Sequence, residues 1–145
     1  VTDLNLKSLF FLTRELVPLL EQAASQEDPA RVINVGSIDG IRVPAIENYA
    51  YAAAKAAVHH LTRVLAGNLA GRMITVNAVA PGPFESKMTE WLLENFQKEI
   101  EGACPLRRIG APADMAGIAI FLASRAGAYL NGTVIPVDGG ISGAR

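Results

Sequence analysis

Tyr51 and Lys55 stand four residues apart in the run Tyr51-Ala-Ala-Ala-Lys55, and on a helix that spacing puts both side chains on one face. A phenol with an unperturbed pKa near ~10 is a poor proton carrier at neutral pH, and a neighbouring ammonium stabilises its ionised form. Bringing such a group down by ~3 pH units takes ~4 kcal/mol. One lysine rarely supplies all of that, so the pair calls for a second positive charge beside it. By itself the frame is equally a core tyrosine next to a solvated lysine. Ser37 precedes it, directly after Ile33-Asn-Val-Gly36. A hydroxyl there can donate to a carbonyl oxygen while a tyrosine moves the proton, or it can cap a turn. Further on lies Ala80-Pro-Gly-Pro-Phe-Glu-Ser86. There Gly82 permits close backbone approach to a ligand and Ser86 adds a hydroxyl; the plainer reading is a Pro-Gly turn.

These residues need elements to hold them. Three short β-branched runs, Arg31–Gly36, Met73–Val79 and Thr133–Val137, are mostly continuous in their apolarity and do not strictly alternate, as strands covered on both faces should be. Leu9, Leu12, Leu16 and Leu19 repeat at helical spacing within Asp3–Ala24. Thr2 or Asp3 can cap that helix, and Pro18 should kink or interrupt it. Asn48–Ala70 is alanine-rich and helix-forming, and Pro112–Ser124 opens with proline at a first helical turn. The pattern α-β-α-β-α-α-β implies an α/β fold, a three-stranded parallel sheet flanked by helices, with Ser37 and the Pro81-Gly82 turn at the carboxyl ends of adjacent strands.

Composition narrows the function classes. Half of the 145 residues are apolar, enough for a core, and 13 basic against 14 acidic residues leave no field for nucleic acid or an anionic membrane. No apolar run reaches the ~18 residues of a membrane span. Cys104, the single cysteine, can form neither an internal disulfide nor a thiolate cluster and reads as a small core or loop residue. His59 and His60 are adjacent and cannot share a helix face, so no metal site is expected. Arg107 and Arg108 read as solvated or salt-bridged, with contact to a cofactor or another subunit as the alternative. Ser37 lies in Gly36-Ser-Ile-Asp-Gly40, which lacks the G-x-S-x-G elbow of a hydrolase.

Together these motifs resemble the short-chain dehydrogenase/reductase family, from about Thr2 to Gly140. Asp3-Leu-Asn-Leu-Lys7 resembles the start of the family's fourth helix, Ile33–Ser37 the strand ending in its serine, Tyr51 and Lys55 its catalytic pair. Asn77-Ala-Val-Ala-Pro-Gly82 resembles its nicotinamide-side turn, and Pro105–Pro112 and Val137-Asp-Gly-Gly140 its C-terminal signatures. The interval from Ser37 to Tyr51 is slightly longer than in most members, and Ser86 stands where a threonine is usual. Tyr49 is a rival tyrosine, but Ala53 lies four residues on, so it is assigned to packing.

The resemblance implies an oxidoreductase of the Rossmann-like class that reduces a ketone or oxidises a secondary alcohol. Asn5, Ser37, Tyr51 and Lys55 would be catalytic; Tyr51, Lys55, Pro81, Gly82, Phe84 and Ser86 would bind the nicotinamide end, whose oxidised ring supplies the second positive charge. The segment after the Pro-Gly turn would be a substrate lid, in which Met88, Trp91, Leu92 and Phe96 would line an apolar pocket; the other reading is that they simply cover the core. The wording of Asn48–Tyr51, Pro83–Met88 and Gly127–Pro136 is similar to members acting on 3-oxoacyl carbonyls, which implies NADP(H) over NAD(H), no metal, and a cytoplasmic homodimer or homotetramer. The chain opens at Val1 without methionine and has no glycine-rich turn between a strand and a helix. Residues 1–145 are therefore expected to be the C-terminal part of one domain whose dinucleotide-binding half lies elsewhere, and alone to bind the cofactor weakly and aggregate. The other reading is a non-catalytic remnant acting through protein interaction.

Overall fold

In the computed structural model, residues 1–87 and 89–144 are described. Strands β1 (Ala30–Val35), β2 (Ile74–Pro81) and β3 (Val134–Val137) form one sheet in that order, parallel throughout. Four helices accompany them: α1 (Ser8–Ala23), α2 (Tyr49–Leu69), α3 (Glu90–Ala103) and α4 (Pro112–Ala123). β2 is buried from Ile74 to Ala80. Its alternate residues Ile74 and Val76 meet Val17 of α1 and Ala66 and Leu69 of α2 in the central cluster. α4 also packs on β1 and β2, covering the other face. A central strand covered twice has no solvent face to offer, which explains why it is mostly apolar and does not alternate.

Two details at the chain's start differ from expectation. Neither Thr2 nor Asp3 caps α1. Thr2 has helical dihedrals and no capping bond, and Asp3–Lys7 form a π-helical turn that leads into α1. Asn5 sits in the middle of that turn and bonds back to Val1 through both its backbone N–H and its side-chain amide, at 2.9 and 3.1 Å. Pro18 does not interrupt α1, which runs from Ser8 to Ala23 through it. Pro18 is exposed, so water can reach the carbonyl that the missing N–H leaves unpaired.

The sheet is locked to its surroundings by asparagines. Asn77, buried in β2, donates to the Leu130 carbonyl at 2.8 Å and accepts the Thr133 N–H at 3.1 Å, fixing the entry to β3. Asn131 gives its amide to the Ala66 carbonyl and accepts the Val76 N–H, joining α2, β2 and the same entry segment. Asn34 of β1 donates to Thr62 of α2 at 2.9 Å. Each amide serves backbone or hydroxyl groups that burial would otherwise strand. Asn77→Ala leaves two such groups unpaired and should cost about 2–4 kcal/mol of stability. Urea denaturation will measure it, and a loss below about 0.5 kcal/mol would show that these bonds do not hold the sheet.

Candidate functional site

The register sets the site. Val35 pairs with Val79 and Pro81 with Val137, so the continuation of β1 brings Ser37 level with Pro81 at one edge of the sheet. The Gly36 N–H still bonds the Val79 carbonyl at 2.7 Å. Ser37 then begins a 3-10 turn, Ile38–Gly40, with its Oγ accepting the Asp39 N–H at 3.1 Å. The plainer reading of this serine therefore holds: its oxygen caps a turn. Asn48 donates to the Asp39 carboxylate at 2.8 Å and ties the turn to the start of α2.

α2 presents Tyr51, Lys55 and His59 at four-residue intervals. Lys55 is 8 % exposed, and its Nζ donates to the Val35 carbonyl at 2.8 Å. The same Nζ lies 5.6 Å from the centre of the Tyr51 ring. Burial pushes the Lys55 ammonium below its ordinary range. Gly40 rests on the α2 backbone at Lys55 and Ala56, where a Cβ would come within 2.6–2.7 Å. The serine turn is thereby pressed onto α2 one turn beyond Tyr51. Asn5 and Lys55 line a common groove with Ser8, Asn34 and Val35, so the first turn of the chain reaches the same lysine.

The segment after β2 is arranged differently from expectation in part. Gly82 is required by close approach, but to protein: a Cβ would lie 2.7 Å from that of Asp138 at the end of β3. The Phe84 ring packs beneath Gly110, and its carbonyl accepts the Thr89 hydroxyl at 2.6 Å. Ser86 shares hydroxyl and backbone bonds with Thr89. Trp91 is 66 % exposed and meets Phe96 edge-on at 5.9 Å, Leu92 is half-buried, and Leu93 enters the core instead. Met88 lies outside the described residues. Tyr49 is not packed as expected. It is 77 % exposed in the first turn of α2, so its failure as a rival rests on the absent lysine alone.

His59 was missed as a site residue because its spacing was considered only for metal binding. Counting four residues on from Lys55 would have placed it on the site's face. It is buried, and its Nε2 accepts the Ser37 N–H at 3.4 Å. Among the described residues no cluster of histidine, cysteine or carboxylate side chains could hold a metal ion, and no helix is long and apolar enough to cross a membrane. Cys104 is buried against Gly139. Arg108 grips Asp114 with two bonds of 2.6 and 2.9 Å; with the Ala111 N–H, this holds the Asp114 carboxyl down at about 2.

The family model described as Enoyl-(Acyl carrier protein) reductase matches residues 1–142. The chain is 49 % identical over 142 residues to the rhamnolipids biosynthesis 3-oxoacyl-[acyl-carrier-protein] reductase of Pseudomonas aeruginosa, covering 97 % of this chain and 56 % of that protein. It superposes on the Pseudomonas aeruginosa RhlG/NADP active-site complex with a TM-score of 0.92 at 46 % identity, covering 98 % of this chain and 58 % of that one. A short-chain type dehydrogenase/reductase from Mycobacterium marinum aligns at a TM-score of 0.88 and 30 % identity, over 99 % and 55 % of the two chains. The chain belongs to the short-chain dehydrogenase/reductase family. It spans a little over half the length of these relatives.

Burial holds the His59 imidazole below its ordinary value of 6.5; the Gly40 backbone bond opposes this, while Arg63 and Lys55 reinforce it. An unfolded chain therefore takes up this proton at a pH where the folded one still resists it. Stability should fall as pH drops below about 6.5 and level off beneath the folded value. Urea midpoints measured between pH 7.5 and 5 should show this component in the wild type, and His59→Gln should remove it. An equal slope in both proteins would contradict the assignment.

Proposed function

We propose that this chain supplies the catalytic centre of an NADP(H)-dependent oxidoreductase that reduces a ketone, of 3-oxoacyl type, or oxidises the matching secondary alcohol. The observation that carries the reading is the buried Lys55 ammonium, fixed by the Val35 carbonyl beneath Tyr51 and beside the Ser37 turn. The donor set fits a nicotinamide ribose. An ammonium has three N–H donors, and one protein acceptor meets Lys55 among the described residues, which leaves donors for a pair of hydroxyls. The RhlG complex, with NADP, supports the choice of cofactor.

When bound, the nicotinamide exchanges a hydride with the carbonyl carbon. Tyr51 delivers its hydroxyl proton to the oxygen that becomes the alcohol, and takes one back in the reverse direction. Ser37, its oxygen already engaged by the Asp39 N–H, points its proton at the same carbonyl oxygen and steadies the developing charge. Lys55 holds the ribose and favours proton release from Tyr51. Asn5, on the groove shared with Lys55, supports the relay by holding a water through which a proton from solvent returns to Tyr51 by way of Lys55. Pro81, Gly82, Phe84 and Ser86 wall the nicotinamide side. The whole protein is a homodimer or homotetramer. Phe10, Phe11, Leu12, Leu16 and Leu19 lie exposed along α1 with Val64 on α2, an apolar surface suited to a second copy.

In the full-length protein, assayed with NADPH and a short 3-oxoacyl thioester, Tyr51→Phe should lower kcat by about 10²–10⁴-fold while NADPH binding, followed by fluorescence, persists. Tyr49→Phe should keep most of its activity. A loss of less than about tenfold in Tyr51→Phe would remove the tyrosine from the reaction.

A further inference from the structure

The turn that carries Ser37 is built around a side chain that the reaction above does not use. His59 lies inside it. A Cβ on Gly36 would come 2.1 Å from His59 Nε2 and 2.6 Å from Cδ2, and one on Gly40 would come 2.9 Å from Cε1. The imidazole therefore fills the space that side chains at both positions would occupy. Neither Gly36 nor Gly40 has positive φ, so no backbone requirement demands glycine at either place. What demands it is contact: with His59 and, at Gly40, with the α2 backbone beside it. Between these glycines, Nε2 accepts the Ser37 N–H, a long bond of 3.4 Å.

We propose that His59 is a positioning residue, a peg from α2 around which residues 36–40 are wrapped and by which the Ser37 hydroxyl is aimed. The peg sits two helical turns along from Tyr51 and one from Lys55 on the same face of α2. One rigid helix therefore fixes the proton donor, the ammonium and, through His59, the hydroxyl on the opposite strand end. The Asn48–Asp39 bond closes the turn from its other side. Accepting at Nε2 leaves the ring proton on Nδ1, so the neutral imidazole is the form that holds Ser37. As a statement about catalysis this rests on the role given to Ser37 above; as a statement about the turn it stands without it.

The test uses the full-length protein with His59→Leu, which keeps bulk but loses the acceptor, and His59→Gln, whose amide places an acceptor near the position of Nε2. Hydrogen–deuterium exchange at residues 36–40 and steady-state kinetics are read together. In His59→Leu, exchange of the Ser37 amide should quicken by about tenfold or more. Its kcat should drop by about 10–100-fold with KM for NADPH nearly unchanged. His59→Gln should recover most of both losses, a rescue that a merely space-filling role would not give. If leucine prevents folding, Gly36→Ala displaces the ring from the other side and should reproduce the loosened turn. Leucine behaving as wild type, or glutamine faring no better than leucine, would overturn the proposal. A wild-type protein that reduces no carbonyl while Ser37 protection still follows His59 would reject the oxidoreductase reading and leave the peg standing.

Discussion

An ammonium withdrawn from water needs oxygen around it, and Lys55 finds that oxygen in the carbonyl of Val35 at 2.8 Å. That bond joins the middle of one helical face to the last residue of β1. It can form only if α2 crosses the carboxyl end of the strand at close range, and that end carries Ser37. Burial works against the charge, so the helix cannot drift from the strand without leaving a buried cation unpaired. The position of Tyr51 follows, because it shares the face of α2 and lies one turn before the anchored residue. Much of the site's geometry therefore depends on one side chain being charged, buried and tied to backbone.

Close approach completes the arrangement. Gly40 lets the serine turn lie on the α2 backbone, Gly36 admits the imidazole, and Gly82 lets the end of β2 meet Asp138 beyond β3. Parallel register carries these contacts to the same level of the sheet. Asparagines act at the other end, where buried Asn77 and exposed Asn131 fix the approach to β3, so the sheet is held by specific amide bonds as well as by the Val17–Val76 cluster.

Much of this was legible in the sequence. The strands are mostly continuous β-branched runs and the helices carry regular spacing or an alanine-rich stretch, because local pattern and tertiary burial demand the same residues in a doubly covered sheet. The Tyr51–Lys55 spacing and the serine after β1 were readable for the same reason. What was not readable depends on long-range contact. The approach of Gly82 to Asp138 joins two strand ends that are far apart in the chain. Tyr49 looked like packing and is exposed, a matter of which side of α2's first turn it occupies. The role of His59 is invisible without the turn that surrounds it. The π-helical turn at Asn5 has no propensity signature, because a single widened turn changes no residue's local preference.

The claim that Tyr51 and Lys55 act as one unit is tested most directly by a double-mutant cycle on kcat in the full-length protein, using Tyr51→Phe, Lys55→Met and the two combined. Residues that work through a single proton are far from additive, so the double variant should be no slower than the worse single variant, within about threefold. Losses that multiply would show two independent contributions and would contradict the account.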